Sequence, residues 1–302
     1  MGARLIECVP NFSEGRNSEV IREIAAAMDA IAPVLDLHSD PDHNRTVITV
    51  AGSPEAVAEA ALQGVGRAVQ LIDLNQHSGV HPRIGAADVV PFVPVRGTTL
   101  TECVAVARRV GQQIWDRFRV PVYYYGAAAL RPERAELENV RRGQFERLRE
   151  EALSNPAARP DVGENGLHPS AGAVAVGARK FLIAYNINLA TSDLEISRRI
   201  ARLIRASSGG FPHVKAIGVA LPSRSLVQVS LNLTDFEQIP VEQVYDVVRG
   251  EAQRCGVSIA GCEIVGLIPR RAYEMAPRFY ERAENFRPDV VLETRLERVK
   301  CR

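Results

Sequence analysis

Histidines are the side chains in this sequence best suited to moving protons near neutral pH, and there are six: His38, His43, His77, His81, His168 and His213. Four fall in two short stretches. His77 and His81 close the ends of HSGVH, and His38 and His43 stand at the polar turn Asp40-Pro41-Asp42-His43-Asn44. On a helix, a four-residue spacing would let His77 and His81 share a metal ion. Ser78, Gly79 and Pro82 argue against a helix there, so no metal site is expected. His81 invites another reading. Pro82 biases the residue before it to an extended backbone, which fixes the direction of the imidazole. Arg83 follows, and Asp88 opens the apolar run DVVPFVPV. An imidazole held in a loop beside polar groups can accept and return a proton, which makes His81 the candidate acid–base residue. The plainer alternative is a histidine that only hydrogen-bonds its own loop.

A second loop, GENGLHPSAG, comprises Gly163, Glu164, Asn165, Gly166, Leu167, His168, Pro169, Ser170, Ala171 and Gly172, with Gly177 just beyond. Its glycines would let backbone amides approach a ligand, or would make a hinge. Few side chains anchor it, so poor order without a ligand is expected. Nucleotide and serine-nucleophile chemistry are disfavoured, because no GxxxxGK[ST], no GxGxxG after a strand and no GxSxG occurs. The cysteines are Cys8, Cys103, Cys255, Cys262 and Cys301, an odd number with no CxxC spacing. That argues against a disulfide framework and a structural zinc site and predicts free, mostly buried thiols; Cys8, weighed as a thiol nucleophile, lies in an apolar strand and reads as core.

The elements that must carry these loops repeat one plan. Residues 4–10 read as a strand, and Asn17 caps a helix whose inward positions are Val20, Ile21, Ile24, Met28 and Ile31. Strands at 33–39 and 45–52 flank the polar turn. Ser53-Pro54-Glu55 starts a helix with Val57, Ala61, Leu62, Val65 and Val69 inward, and a strand at about 71–76 closes the unit. In the second half, 181–189 is a strand and Ser192-x-x-Glu195 a capping box before a helix with Leu194, Ile200, Leu203 and Ile204 inward. Strands at 213–221 and 226–233 follow, then a helix from Pro240 and a strand at 257–266. Both halves read βαββαβ. This predicts an α+β fold of two ferredoxin-like subdomains, residues 1–177 and 178–302, packed with a ligand tunnel between their sheets. The first half has an addition: a helix from Thr99-x-x-Glu102 to about Phe118, a strand at 120–126 and a charged helix over 133–153.

Composition limits the alternatives. Of 302 residues 46% are hydrophobic and 24% charged, a globular mixture, and the net charge of +1 lacks the basic excess of a nucleic-acid binder. Arg141-Arg142 and Arg270-Arg271 read as solvated helix faces. No stretch approaches the ~20 apolar residues of a membrane span, and Met1 to Pro10 lacks the apolar core of a signal peptide. A soluble, cytoplasmic protein is expected, with a homodimer as the expected assembly.

Several segments together resemble the formiminotransferase family: ECVPNFSEG (7–15), DHNRTVITVAG (42–52), GVHPRIGAADVVPFVPVRG (79–97), VPVYYYG (120–126), GARKFLIAYNINL (177–189), QVSLNL (228–233) and EIVGLIP (263–269). The match spans nearly the whole chain. The resemblance implies transfer of a formimino group from N-formimino-L-glutamate to tetrahydrofolate, a step of histidine breakdown. It maps the catalytic histidine of the family's HPR motif onto His81 and the folate-binding loop onto Gly163 to Gly172. It also implies no cyclodeaminase activity, since the sequence ends at Arg302. The acidic tails of both substrates need cations, for which Arg45, Arg83, Arg179 and Lys180 are candidates. Two positions depart from the pattern. Some members have an aspartate at the position of His38; if that carboxylate orients the catalytic imidazole, either Asp36, Asp40 or Asp42 replaces it here or His38 acts differently. Some carry an aromatic residue at the position of Ala171. The alternatives are formyl transfer by the same site, and a non-catalytic folate- or peptide-binding module.

Overall fold

A cap residue sets the start of each long helix in the first half. Asn17 accepts hydrogen bonds from the Glu19 and Val20 amides at 3.0 and 3.3 Å, Ser53 accepts from Ala56 at 3.2 Å, and Thr99 and Glu102 close a reciprocal capping box. The computed structural model describes residues 4–300. It divides into two compact units, one ending at Arg179 and the other beginning at Lys180.

The first unit runs β1 (Leu5–Cys8), β2 (Asn11–Phe12), α1 (Ser18–Asp29), β3 (Val34–Asp40), β4 (Arg45–Gly52), α2 (Pro54–Leu71), β5 (Ala87–Arg96), α3 (Leu100–Phe118), β6 (Val122–Gly126), α4 (Leu137–Val140), α5 (Gln144–Ser154) and β7 (Val174–Ala178). β1 and β2 act as one bulged strand, since both pair antiparallel with β4 and β5. Across the sheet the order is β3, β4, the β1/β2 strand, β5, β7, β6, with β7 parallel to both its neighbours. Ile6, Cys8, Phe12, Ile48, Val50, Val90 and Phe92 join the inner faces of α1, α2 and α3 in one core. Full burial of a side chain such as Ile24 or Met28 there contributes about 1.5–3 kcal/mol. Val89, Tyr123, Tyr125 and Ala175 form a second cluster with Val140 of α4 and Leu148 of α5.

The second unit runs β8 (Ile183–Leu189), α6 (Leu194–Ile204), β9 (Val214–Leu221), β10 (Leu226–Leu233), α7 (Val241–Arg254), β11 (Ile259–Val265), α8 (Arg270–Met275), α9 (Pro277–Glu281) and α10 (Leu292–Lys300). Its sheet is antiparallel, in the order β9, β10, β8, β11. Both sheets therefore place the second, third, first and fourth strands of a βαββαβ run in the same sequence.

Four expectations change. Residues 71–76 are not a strand: α2 runs to Leu71, and Asp73 then folds the chain into a turn by accepting from the Asn75 amide at 3.0 Å. β5 closes the unit instead. The helix expected over 133–153 is broken into α4 and α5 around Gly143, whose φ of +84° no helix tolerates. Asp193, not Ser192, caps α6, accepting from the Glu195 amide at 3.0 Å. Ile31 and Leu203, expected inside, are 43% and 49% exposed. Cys8, Cys103 and Cys262 are buried free thiols and Cys255 is half-buried; Cys301 lies outside the described residues.

Candidate active site

The polar turn between β3 and β4 builds the site. The Asp40 carboxylate accepts from the His43 amide at 2.8 Å and sets the turn. Asn44, at φ +49°, then reaches both ways: its side chain accepts from the Gly15 amide at 2.9 Å and donates to the Ser78 carbonyl at 3.0 Å. His77 donates through Nε2 to the Asn44 carbonyl at 2.9 Å, and the Val80 amide donates to the Asp42 carbonyl at 3.2 Å. Gly79 is required at this crossing, because a Cβ there would lie 2.3 Å from the His43 carbonyl oxygen. The turn thus clamps residues 77–80, and the His43 and His81 rings stack at 5.7 Å between centroids.

His81 is half-buried, and its Nδ1 lies 2.8 Å from the Pro82 carbonyl oxygen. A carbonyl can only accept, so Nδ1 carries the hydrogen and Nε2 keeps a lone pair. Burial holds the imidazole well below its ordinary pKa, reinforced by the charges of Arg45, Arg141 and His43 and opposed only by the bond to Pro82. His81 is therefore a neutral base near pH 7.

The cations around it differ from expectation. Arg45 lies opposite Asp40 in the β3–β4 ladder and donates to the Asn11 side chain, while its buried Nε meets no acceptor. Burial, then repulsion from Arg141, brings its pKa down to about 10. Arg141 is not a solvated helix residue. It pairs with Asp88, whose other oxygen accepts from the Ile84 amide at 2.8 Å, and the Arg141 Nε is also buried without an acceptor. Arg83 is occupied: it holds Glu146 with two bonds of 2.6 and 2.7 Å and donates through Nε to His77 at 3.1 Å. A small cavity is bounded by Ser13, His43, Arg45, His81, Arg83 and Asp88. Arg179 hydrogen-bonds Tyr125, and Lys180 pairs with Asp235 at 3.0 Å; neither lines this cavity.

The loop from Gly163 to Gly172 is more firmly tied than its composition predicts. His168 and Gly172 exchange backbone bonds of 2.9 and 3.0 Å, and the His168 Nδ1 accepts from the Ala171 amide at 3.0 Å. The Leu74 amide donates to Ser170 at 2.8 Å, the Asn75 side chain to Pro169 at 3.0 Å and the Ala86 amide to Ala171 at 2.9 Å. These bonds seize both flanks of the His81 loop. Gly172, at φ +70°, passes so close that a Cβ would lie 2.2 Å from the Ile84 carbonyl oxygen. Gly163, Glu164, Asn165 and Pro169 remain exposed, Gly166 is buried, and Leu167, His168 and Ser170 are half-buried. Ala171 is 1% exposed and belongs to the core, which leaves no room for an aromatic ring. His38 sits in β3 opposite Val47, half-buried, and Asp40 is committed to the His43 turn. Among the described residues no cluster of His, Cys, Asp and Glu suits a metal ion.

A two-unit α+β protein with a histidine–arginine cavity in its first unit is the class these observations define. The chain belongs to the formiminotransferase family: residues 5–179 match the N-terminal subdomain of the formiminotransferase domain, and residues 184–298 match the formiminotransferase domain that follows it. It is 43% identical to the glutamate formimidoyltransferase of Streptococcus pyogenes serotype M1, over 94% of this chain and 95% of that one. It is 42% identical to the glutamate formimidoyltransferase of Thermoplasma acidophilum, over 97% and 98%. The formimidoyltransferase-cyclodeaminase of Rattus norvegicus is 45% identical, over 92% of this chain and 52% of the rat protein.

Proposed function

We propose that this chain is an enzyme that transfers the formimino group of N-formimino-L-glutamate to tetrahydrofolate, giving 5-formiminotetrahydrofolate and L-glutamate, with His81 as general acid and base. The observation that carries the activity is the end-to-end likeness to two glutamate formimidoyltransferases. Support for His81 comes from its fixed tautomer and depressed pKa. The folate N5 attacks the formimino carbon and a tetrahedral centre forms. The Nε2 lone pair of His81 takes the proton that N5 must lose. Because burial and the arginines make the imidazolium unusually acidic, it readily passes that proton to the glutamate nitrogen, and the carbon–nitrogen bond breaks. Arg45 supplies positive charge for the substrate's carboxylates, a role Arg83 is less free to play beside Glu146. The 163–172 loop receives the folate, and its backbone bonds hold it next to the His81 loop.

The wider reading is of two ferredoxin-like subdomains, 1–177 and 178–302, enclosing a tunnel in which both substrates meet. Holding them together removes much of the entropic barrier to reaction. A cytoplasmic homodimer completes it. The test is an assay of purified chain with tetrahydrofolate and either N-formimino-L-glutamate or N-formyl-L-glutamate. Turnover of the formimino donor is expected to dominate; preference for the formyl donor, or folate binding without turnover of either, would overturn the reading.

A further inference from the structure

The loop that carries His81 is fastened from outside by the Asn44 turn. It is also closed from within by Arg83, which stands six residues after His77. His77 is bonded on both sides of its ring. Its Nε2 lies 2.9 Å from the Asn44 carbonyl oxygen, which can only accept, so Nε2 carries the hydrogen and Nδ1 keeps a lone pair. The Arg83 Nε–H meets that lone pair at 3.1 Å, and the Arg83 Nη2 reaches the His77 carbonyl at 3.4 Å. His77 and Arg83 are thereby pinned together with His81 between them, and all three line one cavity.

The far end of Arg83 is held by three consecutive residues of another element. The Phe145 amide donates to the Arg83 carbonyl at 3.0 Å, and the Gln144 Oε1 accepts from Nη1 at 3.4 Å. The Glu146 carboxylate accepts from Nη1 and Nη2 together, at 2.7 and 2.6 Å. Reaching Arg83 in this way takes an unusual backbone. Gly143 and Gln144 both lie in the left-handed region, at φ +84° and +56°, and residues other than glycine seldom adopt it. Stability alone gives little reason for the arrangement. The Glu146 side chain is 62% exposed, and an ion pair with so exposed a partner contributes little to folding. Arg83, by contrast, is 7% exposed, so the grip of Glu146 is passed inward. The result is one chain of oriented bonds, from Glu146 on α5 through Arg83 and His77 to the Asn44 carbonyl. That carbonyl belongs to the turn whose His43 stacks on His81.

We propose that Glu146, acting through Arg83 and His77, is a positioning residue for His81: it sets the shape of the loop in which the imidazole meets the reacting atoms. This rests on the reading of His81 as the acid–base residue. Arg83 works here by the geometry of its fork and not by its charge. A lysine ammonium is a single point and cannot hold His77 and both Glu146 oxygens at once.

The test is kinetic, on the full chain with N-formimino-L-glutamate and tetrahydrofolate, with thermal melts alongside. Glu146→Gln is expected to lower kcat roughly tenfold or more, with both KM values within about twofold and the melting temperature unchanged. Arg83→Lys is expected to lose as much kcat as Arg83→Gln. In a His81→Ala background, Glu146→Gln is expected to change kcat by less than about twofold, because the group it positions is gone. A folded Glu146→Gln protein with wild-type kcat would overturn the proposal. So would an Arg83→Lys protein that keeps wild-type kcat, since charge would then suffice. An equal fall from Glu146→Gln with and without His81 would overturn it too, since a merely structural role predicts that. Near-normal turnover of His81→Ala alone would instead remove the acid–base reading on which the proposal stands, and no turnover by the unaltered chain would remove the proposed function; both are seen before any Glu146 variant is compared.

Discussion

At the scale of single residues, the decisive quantity is the charge on His81. An imidazole held neutral cannot lose activity by deprotonation near pH 7, but it can be switched off by acid. The acid limb of kcat/KM is therefore expected below the ordinary imidazole pKa of ~6.5. His81→Ala should fold normally and lower turnover by roughly 10²–10⁴-fold, and His81→Asn should be as poor, since an amide cannot shuttle a proton. Near-normal turnover in either folded variant would exclude the mechanism. Arg141→Gln removes one of the charges that depress the imidazole, so the acid limb should move to higher pH; a pH profile that shifts down, or stays fixed, would show that Arg141 does not act on His81. The part of this that was legible in sequence is local. His81 before Pro82, in a glycine-bearing loop, advertises a held side chain. Arg141 gave no such signal, because its partner Asp88 is 53 residues away and a pair of arginines looks like solvated surface. The tautomer was hidden as well, since it depends on where the Pro82 carbonyl turns.

Among the elements, caps and turns were readable because their chemistry is confined to three or four residues. Asn17, Ser53 and Thr99 start their helices where the sequence places them. What failed depended on distant partners. The apolar residues after α2, Ile72 and Leu74, suggested a strand; both are buried, but they serve the core from a turn. The tether of the 163–172 loop was also invisible, because apart from the Asn75 side chain it consists of backbone bonds to residues 74–86. The upstream anchor of that loop is an ion pair. Asp161 meets Arg134 at 2.6 Å, with side chains 2% and 6% exposed, and also accepts from the Tyr124 amide at 2.8 Å. Asp161→Ala would strand a buried guanidinium, and the expected loss of stability is about 3–5 kcal/mol, read from urea unfolding. A loss under 1 kcal/mol would mean that Arg134, stacked on the Tyr123 ring and bonded to two carbonyls, is sufficiently held without it.

Over the whole molecule, the repeated βαββαβ order was plain from periodicity, and the two sheets do share one strand sequence. Stability should respond to acid as a sum over the chain. His77, His81 and His168 all have depressed pKa values, chiefly from burial. Each is harder to protonate folded than unfolded, so the unfolded chain binds more protons as pH falls from ~6.5 toward their folded values. Their stabilisation is complete above that range and lost below it. Melting temperature should fall as pH drops from 7 to 5, and less steeply in His81→Ala; an unchanged slope in that variant would refute its share. The feature that periodicity did not reveal is β7, which lies between β5 and β6 although it follows β6 by almost 50 residues in the chain. This has a consequence for synthesis. While the ribosome makes the intervening stretch, a few seconds at 5–20 residues per second, the backbone groups of Val122 to Tyr125 that β7 will take have no sheet neighbour, and residues 161 and 162 supply partners only at Val122 and Tyr124. A nascent chain halted at that stage offers a tyrosine-rich edge to any other nascent chain. Truncations ending near residue 165 should accumulate as insoluble protein or bound to chaperones, whereas those extended past residue 180, which contain β7, should be released; equal solubility on both sides of β7 would show that the waiting strand is shielded by something else.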